Sequence, residues 1–194
     1  MKLQAKGSLP DGRERDVPSG DWQGELRNVS VEVPGHHLQL EAPSKVKWLQ
    51  DGKRLKIDKH CWQDQQATLC LEEPVTADKS GSAKIALNNY KLDNLNQLLP
   101  PNTYTHIEGD LGANSNLKWN SSGKNPFTVE LQADVTNGAI IIGKNKADQS
   151  ALRLPYEKLS LTSQTEPKAF VSSLQLDSKG IFAGAVPFEI TVCT

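Results

Sequence analysis

The 194-residue chain predicts an all-β fold, a long antiparallel meander with one dry face, and three tight turns carry that prediction. Asp51-Gly52 has the composition of a type I′ hairpin turn, in which both central residues take φ > 0. Counting outward sets Gln50 against Lys53, Trp48 against Leu55 and Val46 against Ile57, with Lys47 and Lys56 on the other side of the pleat. Pro34-Gly35 sets Val31 against Leu38 and Val29 against Leu40, leaving Ser30, Glu32, Gln39 and Glu41 outside. Asn137-Gly138, read the same way, sets Val135 against Ile140 and Ala133 against Ile142, in line with Phe127, Val129 and Leu131. Slipping a strand by one residue turns its whole set of side chains over, so agreement at three turns argues for one apolar face.

The elements follow in order. Leu3, Ala5 and Leu9 mark a first strand ended by Pro10-Asp11-Gly12, and Arg13 to Asp21 is a polar loop broken at Pro18-Ser19-Gly20. Trp22 to Leu26 leads into the strand of Val29, Val31 and Val33, and further strands are expected at 38–42, 46–49, 55–61 and 67–71. Strands this closely spaced leave no room for helical crossovers, which excludes a parallel α/β sheet here. After a polar loop from Glu72 to Gly81, Ala83, Ile85 and Leu87 add another strand. The period then changes. Leu92, Leu95, Leu98 and Leu99 recur at three and four residues, with Asp93 near the start and Pro100-Pro101 as the stop, which predicts one short amphipathic helix near 92–99. A helix this short needs its leucine stripe buried. Beyond it, Ile107, Gly109, Leu111, Ala113, Leu117 and Trp119 alternate along a long strand, and Asn120 to Asn125 turns into the Phe127 strand. The pattern continues through Leu152, Leu154, Tyr156, Leu159, Leu161, Leu174, Leu176, Ile181 and Ala183.

The balance of 22 basic and 23 acidic residues, net −1, argues against nucleic acid or anionic headgroups as the main partner. No apolar run approaches the ~20 residues that cross a bilayer, and residues 1–20 lack the apolar core of a signal peptide. The chain begins in mid-pattern and ends abruptly at Thr194, so it is expected to be one segment, 1–194, of a longer protein. Within it lie a first strand and polar loop (1–21), the strands of 22–90, the short helix (91–101) and further strands (102–194).

No constellation for chemistry stands out. His36-His37 and His60 would need a geometry that a sheet does not offer for zinc, so they are expected to be solvated, with no metal and no cofactor. The sequons at Asn28 and Asn120 match a pattern common by chance, Asn28 lying on a strand, and the strand glycines Gly109, Gly112, Gly180 and Gly184 open no helix that could cradle a phosphate. The scattered Asp, Glu, Ser and His residues suggest no catalytic pairing, so the chain is not expected to be an enzyme. Trp48 and Trp119 are in phase with the aliphatic face, Trp62 is ambiguous, and Trp22 precedes a strand at an edge. Cys61 and Cys70 lie close enough in hairpin register for a disulfide in an oxidising compartment. If they stand opposite one another, Cys61 shares a face with Leu55 and Ile57 while Cys70 is out of phase with Leu69 and Leu71, so a bulge is needed. Two unpaired small residues are the alternative, and both stay open; Cys193 is expected to be an unpaired thiol.

The order Trp22-x-Gly24-x-Leu26, Leu38-x-Leu40-x-x-Pro43-x-x-Val46, Leu55-x-Ile57, Cys61 and Leu69-Cys70-Leu71 resembles the TamB and AsmA-like family. Leu95-x-x-Leu98-Leu99-Pro100 before Ile107-x-Gly109-x-Leu111 is similar to a unit that recurs there. The resemblance spans Trp22 to Leu111. It implies a sheet curled into an open U-shaped trough with an apolar interior, carried on a single-pass inner-membrane protein that crosses the periplasm of a Gram-negative bacterium. It also implies the outer-membrane barrel TamA as partner, met by parts of the protein outside this chain, and roles in phospholipid transport and outer-membrane protein assembly. The expected passengers are phospholipid acyl chains. The expected lining is Val29, Val31, Leu38, Leu40, Val46, Trp48, Leu55, Ile57, Leu69 and Leu71, continuing through Ile107, Leu111, Phe127, Val129, Leu131, Ile140 and Ile142. Two other readings are a sheet edge that accepts strands of outer-membrane protein clients, and a structural spacer whose dry face is packed on itself.

Overall fold

The computed structural model describes residues 2–4, 21–33, 35–51, 54–98, 104–123, 125–143, 150–166, 169–177 and 188–193, the first and last of these as backbone only, as are 97, 98 and 104. Among them the regular structure is all strand apart from one 3-10 turn, Leu92–Leu98. The strands are β1 Lys2–Gln4, β2 Trp22–Leu26, β3 Ser30–Val33, β4 His36–Leu40, β5 Ser44–Leu49, β6 Arg54–Ile57, β7 His60–Asp64 and β8 Ala67–Leu71. There follow β9 Val75–Ala77, β10 Ser80–Lys91, β11 Tyr104–Asn120, β12 Phe127–Gly143, β13 Leu152–Glu166, β14 Ala169–Asp177 and β15 Phe188–Cys193. They build two open sheets, one of eleven strands in the order β1-β3-β4-β7-β8-β10-β11-β12-β13-β14-β15 and one of four in the order β2-β5-β6-β9. From β10 on, strand order follows chain order, as a meander should. Before it, successive hairpins are dealt alternately to the two sheets. Two compact units are distinguished, Met1–Ala86 with Ser115–Val129, and Leu87–Asn114 with Glu130–Thr194.

Two of the three turns set the registers expected of them. Around Asp51, Val46 pairs with Ile57, Lys47 with Lys56 and Trp48 with Leu55; Gly52 and Lys53 lie outside the described residues. Around Gly35, whose φ is 83°, Val31 pairs with Leu38, and the Leu40 N–H donates to the Val29 carbonyl at 2.9 Å. The strand expected over 55–61 is two strands in different sheets. The crossing is pinned where the chain leaves β6: the Ser44 hydroxyl, on a residue 1% exposed, donates to the Asp58 carbonyl at 3.1 Å, and the Asp58 N–H donates to Lys45 O at 3.0 Å.

That crossing corrects the cysteine register. Phase does not carry from Leu55 and Ile57 to Cys61, because β6 and β7 belong to different sheets. Cys61 and Cys70 stand directly opposite in an unbroken ladder that runs from His60↔Leu71 to Asp64↔Ala67, closed by a turn with Gln65 at φ 51°. They are disulfide-bonded, Cα–Cα 4.0 Å, and no bulge is present. The bridge shares its face with Gln63 and Thr68; the Leu40–Trp62–Leu69 row is on the other.

Asn137-Gly138 is not a turn. Asn137 does take φ 54°, as half of a type I′ turn would, but the chain continues as β12 and Gly138 pairs with Tyr156 of β13. A Cβ at Gly138 would lie 2.3 Å from the Tyr156 ring and 2.4 Å from the Glu108 carbonyl oxygen, so the missing side chain makes room for that ring. The Tyr156 hydroxyl donates to the same carbonyl at 2.8 Å. Val135 therefore meets Leu159 and Ala133 meets Leu161, while Ile140 meets Leu154 and Ile142 meets Leu152. Along β13 the apolar residues change from even to odd numbers across Glu157, whereas β12 beyond Asn137 is apolar at odd and even positions alike, with Ala139 wholly buried and Ile142 exposed. The core cluster of Leu92, Val135 and Tyr156 nevertheless collects Ile140 and Leu159 alike. The register of β12 on β13 is the same on either side of the left-handed Asn137, from Thr136↔Lys158 to Gly138↔Tyr156. Asn89 of β10 has φ 55° and Gly109 of β11 has φ 143°.

The helix expected near 92–99 is a 3-10 turn, for which the Leu92, Leu95, Leu98 spacing of three is the natural repeat. Its leucine stripe is not wholly buried: Leu92 is 8% exposed and Leu95 39%. The loop from Glu72 to Gly81 contains β9, and Asn28 is a left-handed bend residue, φ 52°, rather than part of a strand. Ala5 to Gly20, Leu99 to Asn102 and Ile181 to Ala183 are outside the described residues, as is the side chain of Cys193.

Candidate functional site

In the four-stranded sheet, register and pleat together define one apolar face. Trp22 stands across from Trp48 and Gly24 from Val46, Val46 from Ile57 and Trp48 from Leu55, and the row ends at Val75 and Ala77. Trp22 closes the gap over Gly24, where a Cβ would lie 2.5 Å from its ring. Gln23, Glu25, Lys45, Lys47, Lys56 and Thr76 point the other way. Trp22, Val46, Trp48, Leu55, Ile57 and Val75 are half-buried, none of them fully enclosed. An apolar face closed under a second layer would exclude water from its central residues.

In the part of the eleven-stranded sheet that lies in the first unit, Val29 and Leu40 are buried at 5% and 6% exposure, Val31, Leu38 and Leu71 are half-buried, and Leu69 is exposed. Val129 is half-buried and Phe127, at 59%, lies open. Trp62 joins the apolar row through its pairing with Leu40 and Leu69. Trp119 fills the space above Gly81, and its indole N–H donates to Asp78 O at 2.9 Å.

One polar pair interrupts this face. Asp64 is 6% exposed, receives His36 Nδ1 at 2.5 Å, and accepts from the His37 backbone N–H at 3.2 Å. His36 is therefore not a solvated turn residue; His37 is, lying 3.7 Å from Glu32. Val33, Gly35, Gln65 and these groups line an open depression of about 500 Å³. Nothing in sequence order marked Asp64, because the pairing joins the tips of two hairpins.

The second unit repeats the arrangement. Ile107, Leu111, Leu131 and Ile140 are half-buried, with Ile107, Leu111 and Ile140 packed on the Leu92–Val135–Tyr156 cluster, and Ile142 is 47% exposed opposite Leu152 at 55%.

A family model described as TamB, N-terminal domain, matches residues 2–192. The chain belongs to the TamB family. It is similar to the translocation and assembly module subunit TamB of Haemophilus influenzae (strain ATCC 51907 / DSM 11121 / KW20 / Rd), with 22% identity over 167 residues. That match takes in 85% of this chain and 12% of the relative, so the chain spans about an eighth of that protein's length. No solved structure matches it. No helix among the described residues of this TamB-family chain is long and apolar enough to cross a membrane.

The faces turned away from the apolar rows carry ion pairs: Lys84–Glu73 at 2.6 Å, Arg153–Glu108 at 2.7 Å, Lys158–Asp134 at 3.1 Å, and Lys91–Asp110. The Arg153 hydrogen bond holds the Glu108 carboxyl below the ordinary carboxylate range, and burial pushes the Tyr156 hydroxyl up. The Ser160 hydroxyl, at 2.7 Å, and Lys158 hold Asp134 low against the opposing effect of burial. A carboxylate whose folded value is depressed binds fewer protons folded than unfolded. Its contribution is present above the ordinary carboxylate range and is lost as pH falls through the folded value. Stability is accordingly expected to fall with acid, and Asp134→Asn to flatten that fall, as chemical unfolding at a series of pH values would measure. With Asp134 a third exposed, the effect is modest.

Proposed function

We propose that this TamB-family segment is a non-enzymatic part of a periplasm-spanning protein, anchored elsewhere in the inner membrane, and that it conducts phospholipids between the two membranes. In this reading acyl chains move along the apolar face. The support of outer-membrane protein assembly, and the contact with the barrel TamA, belong to the whole protein. The observation that carries the reading is the row Trp48, Leu55, Val46 and Ile57, an apolar surface that is only partly covered. Each CH₂ withdrawn from water is worth about 0.8 kcal/mol, so partial burial of two acyl chains holds a phospholipid without a headgroup site. No group needs to titrate. Ile57→Glu in the intact protein, at unchanged expression, is expected to abolish lipid delivery, whereas Lys56→Glu on the opposite face leaves it intact.

One observation favours a second reading. The four-stranded sheet ends in β2 and β9, so its outermost strands offer edges to an incoming client strand. They are five and three residues long, short enough to blunt such pairing. An edge binder would keep its clients in Ile57→Glu; a conduit would lose lipid flow in the same variant. A spacer with no cargo would lose neither.

A further inference from the structure

Away from the apolar faces, three ligating side chains converge within the second unit. His106 Nε2 lies 3.0 Å from an Asp93 oxygen and 3.8 Å from a Glu108 oxygen, and all three ligand atoms are within 4.8 Å of one another. We infer that Asp93, His106 and Glu108 bind a first-row divalent cation of the zinc type.

The geometry suits such an ion before it arrives. Bonds of about 2.0 to 2.2 Å to nitrogen and oxygen place tetrahedral ligand atoms about 3.3 to 3.6 Å apart, a spacing bracketed by the 3.0 and 3.8 Å from His106 Nε2 to the two carboxylates. His106 and Glu108 are two residues apart on β11 and project from one face of the strand. Asp93 comes from the 3-10 turn, whose position is fixed by Asn96. That amide accepts from the Ile107 N–H at 2.8 Å and donates to the Ile107 carbonyl at 3.0 Å, and Ile107 is the residue between the two strand ligands. The two ligand-bearing elements are therefore clamped together at the centre of the set.

The surrounding charges agree. Arg153 takes one Glu108 oxygen at 2.7 Å and leaves the other directed to His106, the kind of outer hydrogen bond that orients a ligating carboxylate. Two carboxylates and one guanidinium sum to −1, and a divalent cation, whose ligating imidazole must be unprotonated, turns this to +1. For binding, the imidazole proton resides on Nδ1, so that the Nε2 lone pair faces the ion. The ion then takes over from the Asp93 hydrogen bond and from the Asn96 Nδ2 contact at 3.4 Å. One imidazole with two carboxylates and no thiolate selects zinc or its first-row neighbours over copper(I), and three protein ligands leave a position for water. Asp93 is exposed, so the ion enters from solvent.

The test titrates the intact, tag-free, metal-stripped protein with Zn²⁺ by calorimetry and by competition with a chromophoric chelator. One saturable site per chain is expected. His106→Gln, which keeps a donor for Asp93, and Asp93→Asn are each expected to weaken it at least about tenfold, with circular dichroism unchanged. His37→Ala, which removes an exposed histidine in the first unit, leaves it as it was. Zn²⁺ should also raise the unfolding midpoint of the native protein and not that of His106→Gln. Absence of saturable binding, or a site whose affinity is unchanged in His106→Gln, overturns the assignment.

Discussion

Gly138→Ala is expected to destabilise the second unit by about 3 kcal/mol, the upper part of the range for forcing a methyl into filled space. The obstacles are the Tyr156 ring at 2.3 Å and the Glu108 carbonyl oxygen at 2.4 Å, and the second cannot rotate away because it is backbone. Relief would require either expelling the ring, which carries the hydroxyl bond to Glu108, or separating β11 from β12. Gly112→Ala is the control. The nearest atom to a Cβ there is the Leu87 carbonyl oxygen at 3.8 Å, so that variant should be neutral or slightly stabilising, since alanine loses less backbone freedom on folding. Urea unfolding of the two variants side by side reads the difference, and equal midpoints would contradict the close approach of Tyr156 to Gly138.

Loss of the Cys61–Cys70 bridge is the second large effect. A loop spanning a separation of nine residues is closed, and the chain-entropy estimate for so short a loop is roughly 2 to 3 kcal/mol. The paired replacement Cys61→Ser and Cys70→Ser is expected to lose that amount. Reductant should weaken the native protein equally and the serine variant not at all. The local consequence falls just after β4, where the Glu41 N–H donates to the Cys61 carbonyl at 3.0 Å. Non-reducing peptide mapping should show the bridge in material exported to an oxidising compartment and free thiols in material made in a reducing one. A native protein indifferent to reductant would mean that the ladder from His60 to Asp64 holds the hairpin alone.

The hairpins were legible because the information they need is local. Gly35 and Asp51 sit where a two-residue connection places matching apolar residues across from each other, and the pairings of Val31 with Leu38 and Trp48 with Leu55 follow by counting. Asn137-Gly138 has the same local signature, and its outcome depends on a residue outside it. Asn137 uses the left-handed conformation, but Gly138 is required for the ring of Tyr156, eighteen positions on, and counting from a turn cannot reveal that. The allocation of strands to two sheets was hidden for a similar reason: β4 joins β7 and β6 joins β9 through pairings that no connection specifies. Leu95 illustrates the limit for periodicity, since a three-residue spacing suits a 3-10 turn whose far side need not be covered.

The apolar rows could be read in sequence because alternation reports which side chains share a face. Exposure could not be read, because whether a second layer covers a row depends on strands distant in the chain. The His36–Asp64 pair and the Asp93–His106–Glu108 group were missed for the same reason. The one local hint was His106-x-Glu108, a spacing that puts both side chains on one face of a strand.

The most direct test of the central claim places a photo-crosslinking residue at Ile57 or Val129 in the intact protein, with Lys47 and Lys56 as positions on the opposite face. Leu40, at 6% exposure, is too deeply buried to report on cargo. Phospholipid adducts at Ile57 and Val129, and none at the two lysine positions, are the predicted result. Equal labelling of both faces, or none on either, would contradict a lipid path along the apolar face.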